Sequence, residues 1–413
     1  MNTQFNSHGF NNVNTTHPII PNSQNYTLYK KYVSIHSEDR DVNKFPSSSL
    51  FEIELPEDYL NVSTIRLANW TFPSNYDTFS QYLSNVTMTF TINIPYNPTS
   101  YGVTDPLQIA IYNALTNYNS IGDPNYLITI SNGFYNPDQM TIELTNRFNE
   151  AVNIVIQQYL IDTSQPTLLS QFVSDGGYSE FVIVYNAVKQ NIWFGNKSSG
   201  FVLTNEITFT KSKLSNNLKC LNPELPDYSN WGLPGNLGLD RANDVSITKP
   251  NYLPRFYYGD VFPGDNGYWL VQDLSGAQVY FFEAPYKINL MGPAHMYMEI
   301  EGLNCIDETS PYIKNEFTET HNITNGVVNS AFAKIPIPTT PMSQWFDKDY
   351  VAVYNKLYLP PAERIRRLKI KLRYHNGALV NFGIFNYNIT LEFVLYSSQQ
   401  ARQYNLFQPA NGR

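Results

Sequence analysis

Apolar and polar residues alternate with a period of two along most of the chain, and each alternating run ends at Pro, Gly or Asn. Phe51, Ile53 and Leu55 take every second place before Pro56. The pattern repeats over 64–72 before Pro73, and over 87–94 Met88, Phe90, Ile92 and Ile94 share one face before Pro95. Successive side chains of a strand point to opposite faces, so this spacing predicts half-buried strands in antiparallel ladders and argues against βαβ units. Further strands are expected at 32–36, 127–130, 180–185, 192–194, 201–209, 278–282, 296–301, 331–337, 350–359, 365–374 and 385–396.

Two segments switch to helical spacing. Leu107, Ile111 and Leu115 follow Asp105-Pro106 and predict a short helix near 106–118. A second is predicted near 137–156: Asn136 is a candidate N-cap, Pro137 sits at the first helical position, and Met140, Leu144, Phe148 and Val152 form an apolar stripe. Such a stripe packs on a sheet.

Polar and loop-forming stretches divide the rest. Residues 1–26 are rich in Asn, Thr and Ser and predict a flexible arm; 397–413 predict a similar tail. Residues 211–270 are crowded with Pro, Gly, Asn and Tyr and read as a loop-rich insertion between a first β-rich part, 27–210, and a second, 271–396. Without an internal repeat, one sandwich and two are both compatible with this division.

Composition narrows the class. The 413 residues are 42% hydrophobic, 15% aromatic and 15% charged, with 31 Tyr, 25 Phe and 26 Pro. So many aromatics would collapse a disordered chain, and a helical bundle would need far more Ala, Glu, Lys and Leu. The expectation is a large all-β protein with antiparallel sheets and two short helices. A net charge of −8 gives no overall electrostatic case for nucleic acid. Only Cys220 and Cys305 are present, widely separated, which favours a reducing compartment over a secreted disulfide framework. The Asn-x-Ser/Thr sequons are what an Asn- and Thr-rich chain produces by chance. No signal peptide or membrane-length apolar run is visible, so synthesis and residence on the cytosolic side are expected.

Chemistry is scarce. No GxSxG, HExxH, P-loop, GxGxxG or EF-hand pattern occurs. His8, His17, His36, His295, His321 and His375 are scattered singly, so no metal or cofactor is expected. Cys305 with His295 or His321 would be the only nucleophile pairing; a lone Cys in a β-rich segment is ordinarily a small buried hydrophobe. Glu299 and Glu301 share a strand face and read as solvated. No enzyme is expected.

One charged feature stands out. Arg364, Arg366, Arg367, Lys369, Lys371 and Arg373 crowd a single segment, and from Leu368 the alternation directs Lys369, Lys371 and Arg373 outward. Edge protection, cross-strand carboxylates, or docking on an acidic protein or anionic membrane would each account for it.

Several motifs together resemble the jelly-roll minor capsid proteins of nucleocytoplasmic large DNA viruses. They are Val33-Ser34-Ile35-His36-Ser37-Glu38-Asp39-Arg40-Asp41, the Phe45-Pro46-Ser47-Ser48-Ser49 segment running to Leu55-Pro56, and Asn61 to Leu67 with Pro73. The strand–Asn-Gly–helix run of 128–148, Ala331 to Pro336, Arg364-Ile365, and Leu372 through Gly377 and Phe382 to Phe393 follow in order. His36 and residues 211–270 depart from the pattern. The resemblance implies a jelly-roll β-sandwich working as a structural virion protein, a minor capsid component that cements an icosahedral shell, with a penton (vertex) role as the alternative. It implies oligomeric assembly with major and other minor capsid proteins, contact with an inner viral membrane, and no specific nucleic acid. It also implies production in host cytoplasm and residence in the virion. A carbohydrate-binding or host-attachment β-sandwich is the reading from another class.

Overall fold

The computed structural model describes residues 26–74, 77–209, 232–248, 270–310, 327–337, 343–348, 355–375 and 377–398. In chain order the strands are β1 (Tyr26–His36), β2 (Leu50–Ser74), β3 (Thr87–Ile94), β4 (Tyr126–Thr129), β5 (Phe181–Asn186), β6 (Asn191–Asn196), β7 (Gly200–Leu203), β8 (Asp244–Val245), β9 (Ile247–Thr248), β10 (Tyr280–Glu283), β11 (His295–Ile300), β12 (Ile306–Ser310), β13 (Val327–Ala331), β14 (Ala333–Pro336), β15 (Ser343–Lys348), β16 (Asn355–Arg373) and β17 (Asn388–Ser398). The helices are α1 (Pro106–Asn119), α2 (Pro137–Asp162), α3 (Pro166–Ser174) and α4 (Leu233–Asn236). Every ladder between them is antiparallel, as the alternation predicts.

Two hydrophobic cores form. The first is built on a sheet ordered β1-β17-β2-β16-β11-β14, with β15 also on β2. Its buried residues come from 33–72 and 296–395, so the chain leaves this sheet after β2 and returns with β11. The inward positions of the alternation fill it: Phe51, Ile65, Trp70 and Phe72 from β2, Leu368, Ile370 and Leu372 from β16, Leu391 and Phe393 from β17. The segment before β17 folds under the sheet, where Phe382 and Tyr387 meet Phe72 at ring distances of 5.9 and 4.9 Å.

The second core, from residues 79–290, packs α2 against two four-stranded sheets, β4-β3-β7-β8 and β5-β6-β10-β9. Asn136 caps α2 reciprocally: the Gln139 amide donates to Asn136 Oδ1 at 2.8 Å, and the Asn136 amide donates to Gln139 Oε1 at 3.1 Å. Phe148 stacks on Phe90 at 4.4 Å and meets Phe181 at 5.1 Å, so one helical side chain joins both sheets.

Three expectations change. Pro56 does not end its strand: β2 runs 25 residues through it. The β2–β16 ladder shifts register between Ile365 and Arg367, opposite Tyr59 and Glu54, and Pro56 lies in that irregularity, where its missing N–H breaks no ladder bond. The helices are not two short ones: the α2 stripe continues through buried Ile156 and Leu160 to a length of 26 residues, and α3, started by Pro166, follows it. The strand expected at 201–209 stops at Leu203, and 205–209 turns helical.

Within 211–270 only 232–248 and Leu270 are described; 232–248 holds α4, β8 and β9 and sends Leu233, Leu237 and Leu239 into the second core. Of the expected arm over 1–26 and tail over 397–413, Tyr26 begins β1 and Ser397 and Ser398 end β17; residues 1–25, 399–413 and 350–354, with Cys220 and His321, lie outside the described residues. Among the described residues, no helix is long and apolar enough to cross a membrane.

Candidate interface site

The basic segment forms the second half of β16, between β2 and β11. β2 pairs with the segment from Arg364 to Lys371, whereas β11 pairs with it only from Ile370 to Arg373. Both neighbouring strands offer carboxylates. Arg364 reaches Asp58 at 2.8 Å; Arg366 lies 3.9 Å from both Glu54 and Asp58; Arg367 meets Glu54 at 2.8 Å and Glu52 at 3.9 Å. On the other side Lys369 faces Glu301 at 3.4 Å and Lys371 faces Glu299 at 3.2 Å. Glu299 and Glu301, the two carboxylates of one strand face, are therefore partners of this ladder.

Arg373 departs from the expectation that it faces outward: it is only 2% exposed. Its Nη2 donates to Glu308 at 2.6 Å, its Nε to Glu299, and its Nη1 to the Tyr374 carbonyl at 3.2 Å. The guanidinium also lies over the Tyr297 ring, 5.1 Å from its centroid. Glu308, itself buried, joins His375 Nδ1 at 2.6 Å through its other oxygen. Glu308 belongs to β12, so Arg373 is buried where a side chain of the β12–β13 hairpin reaches the outer face of β16. Burial works against the charge of Arg373, and the hydrogen bonds from Glu308 and Glu299 outweigh it, raising its pKa.

In all, six cations meet six carboxylates across three elements and the hairpin. The pairs at the Arg364 end are solvated and worth about 0.2–1 kcal/mol each, so their partners can be exchanged cheaply for groups on another surface.

A second polar cluster gave no signal in the sequence. Glu392 of β17 stands at an outward place yet is 2% exposed, because Arg66 at 2.6 Å, Lys30 at 2.9 Å and Tyr32 close over it. Burial alone would raise its carboxyl; the hydrogen bonds from Arg66, Lys30 and Tyr32 overcome that and hold it at about 2.

Near the same end of the sheet several large apolar side chains are exposed. The registers place Tyr29, Leu395, Val62 and Ala362 in one row across four strands. Within a few residues of this row Leu28, Tyr29, Leu60, Leu357 and Leu359 are all exposed. Tyr26 and Ser398, the first and last described residues, are register partners beside it.

The nucleophile candidates do not converge among the described residues. The Cys305 thiol donates to the Phe332 carbonyl at 3.5 Å, and desolvation pushes its pKa up, away from thiolate. His295 pairs in register with Pro336, and its pKa is lowered by burial and by Lys334.

No family model matches this chain, and no curated protein matches it. Among solved structures it is similar to the mavirus penton protein, at 8% identity and a TM-score of 0.35, over 91% of this chain and 100% of that one. It is also similar to a chain of the Sputnik virophage structure, at 11% identity and a TM-score of 0.36, over 89% of this chain and 98% of that one.

Proposed function

We propose that this chain is a structural protein of a viral capsid, working through protein interfaces rather than through chemistry on a small molecule. The observation that carries the reading is the number of large apolar side chains left in solvent at one end of the large sheet. Leu28 and Tyr29 of β1, Leu60 of β2, and Leu357 and Leu359 of β16 are each about half exposed or more, and exposed apolar side chains grouped on a folded domain mark a contact with another macromolecule. The ordered motifs between residues 33 and 393 supply the kind of assembly. In this reading a jelly-roll shell component joins other capsid proteins through these exposed apolar side chains. Arg364, Arg366, Arg367 and Lys369 form a charged flank whose solvated pairs re-form with a neighbour's carboxylates.

Purified particles test it. The chain should be present in stoichiometric amount, resist extraction at low salt, and occupy a repeated position in an icosahedral reconstruction. Density beneath the facets would give the cementing role and density at the vertices the penton role. Density against the inner membrane would add the lipid contact. A chain found only free in infected cytoplasm would end the capsid reading.

A further inference from the structure

We propose that a cavity in the second core binds a primary ammonium group on a short alkyl chain, with Glu180 and Gln108 as the accepting groups. The cavity measures about 150 Å3 and lies between α1, the start of β5 and the turn joining β6 to β7. Glu180 and Gln108 both line it, and in each a buried side-chain oxygen, Glu180 Oε2 and Gln108 Oε1, meets no hydrogen-bond donor among the described residues. Glu180 is 9% exposed. Two buried acceptors without donors on residues lining one cavity cost free energy in the empty protein, and that cost is relieved by whatever brings the donors.

The surroundings specify the chemistry of that donor. Lys197, the cation closest in sequence to this turn, pairs its ammonium with Asp273 at 2.6 Å; its charge favours an ionised Glu180 but it donates no hydrogen bond to Glu180 Oε2. Asn196 turns its side-chain nitrogen to the Tyr178 hydroxyl at 3.0 Å, while its Oδ1 accepts from the Ser198 and Ser199 amides at 3.0 and 2.7 Å. Ser198 supplies Glu180 with a hydroxyl but no charge, and burial holds the Glu180 carboxyl above its usual range. The missing partner is thus cationic and rich in donors. A primary ammonium carries three donors and no acceptor. The remaining walls suit what it would be attached to: Ile111, Leu115 and Leu274 give an apolar lining for methylenes, and Tyr96 and Tyr178 add aromatic side chains to the lining. A cavity of this volume holds a molecule about the size of benzene, so a chain of four or five carbons fits. Carboxylates and phosphates are excluded by the sign of the charge.

Such an amine can be a free alkylamine or the side chain of a lysine offered by another protein. Both sources are separated by titrating the full-length protein calorimetrically with n-butylammonium and with N-acetyl-lysinamide, using 1-pentanol as the neutral counterpart. The expected result is saturable millimolar binding of butylammonium, weaker by about tenfold or more for 1-pentanol and in Glu180→Gln, where the charge is lost but the shape kept. Gln108→Leu should weaken binding independently, and it carries the test should Glu180→Gln fail to fold. Binding of N-acetyl-lysinamide at the same site identifies a protein lysine as a competent source; its failure with butylammonium still bound identifies a free amine. No saturable binding of butylammonium, or equal binding of 1-pentanol and of the Glu180→Gln protein, overturns the proposal and leaves the cavity to water.

Discussion

The two ends of one charged run on β16 carry the same kind of side chain under opposite conditions. At the Arg364 end, arginines and carboxylates meet in solvent, each roughly half exposed. At the Arg373 end the guanidinium is enclosed by Glu299, Glu308 and the Tyr297 ring, and Glu308 is shared with His375. Solvent screening makes the first set nearly neutral for stability and therefore available for exchange. Desolvation makes the second depend on keeping every partner. The same residue type on the same strand is thus held in solvated, exchangeable pairs at one end and is a clasp for the β12–β13 hairpin at the other.

The comparison breaks most visibly at Glu308. Glu308→Ala strips Arg373 of one carboxylate and His375 of its partner inside the fold, and chemical denaturation should register a loss of about 3 kcal/mol. A loss below about 1 kcal/mol would place the clasp on a level with a surface pair.

Glu392 sharpens the same point through pH. Its folded carboxyl, held at about 2, lies below the ordinary unfolded value of about 4.3, so its contribution is complete above that unfolded value. It is lost as pH falls from there through the folded value. Thermal melting followed from pH 5 to pH 2 should therefore fall more steeply in the wild type than in Glu392→Gln, with the two curves converging at the acid end. Parallel curves would show that Arg66 and Lys30 do not hold the carboxylate down.

The smallest effect belongs to the solvated end. Arg367→Ala should change stability by less than about 1 kcal/mol, and less still in high salt. A larger, salt-insensitive loss would mean that this end is structural as well.

What the sequence disclosed follows the range of the interactions concerned. The α2 stripe of Met140, Leu144, Phe148 and Val152 and the Asn136 cap are local, and they appear where their spacing puts them. So do Met88, Phe90 and Ile92 of β3 and Leu368, Ile370 and Leu372 of β16, because period-two alternation is itself the burial signal; Ile94, at the end of β3, is half exposed instead. Pro56 misled because its tolerance depends on a bulge set by the facing strand, at Ile365 and Arg367, more than 300 residues away. Arg373 reads outward on the alternation and is buried because Glu308, on a separate hairpin 65 residues earlier, covers it. The cross-strand carboxylates Glu52, Glu54 and Asp58 are equally invisible beforehand, since register is a property of the pair of strands. Glu180 and Gln108 become a pair only when α1 and β5 close on the same cavity.

Whether the exposed end of the large sheet joins this chain to neighbours in a shell, as proposed, is tested most directly by measuring incorporation of a Leu28→Glu/Leu60→Glu protein into assembled particles. Both positions are more than half exposed, so the melting of the isolated protein should stay close to wild type. The account predicts an intact fold with incorporation abolished; wild-type incorporation with both glutamates in place would contradict it.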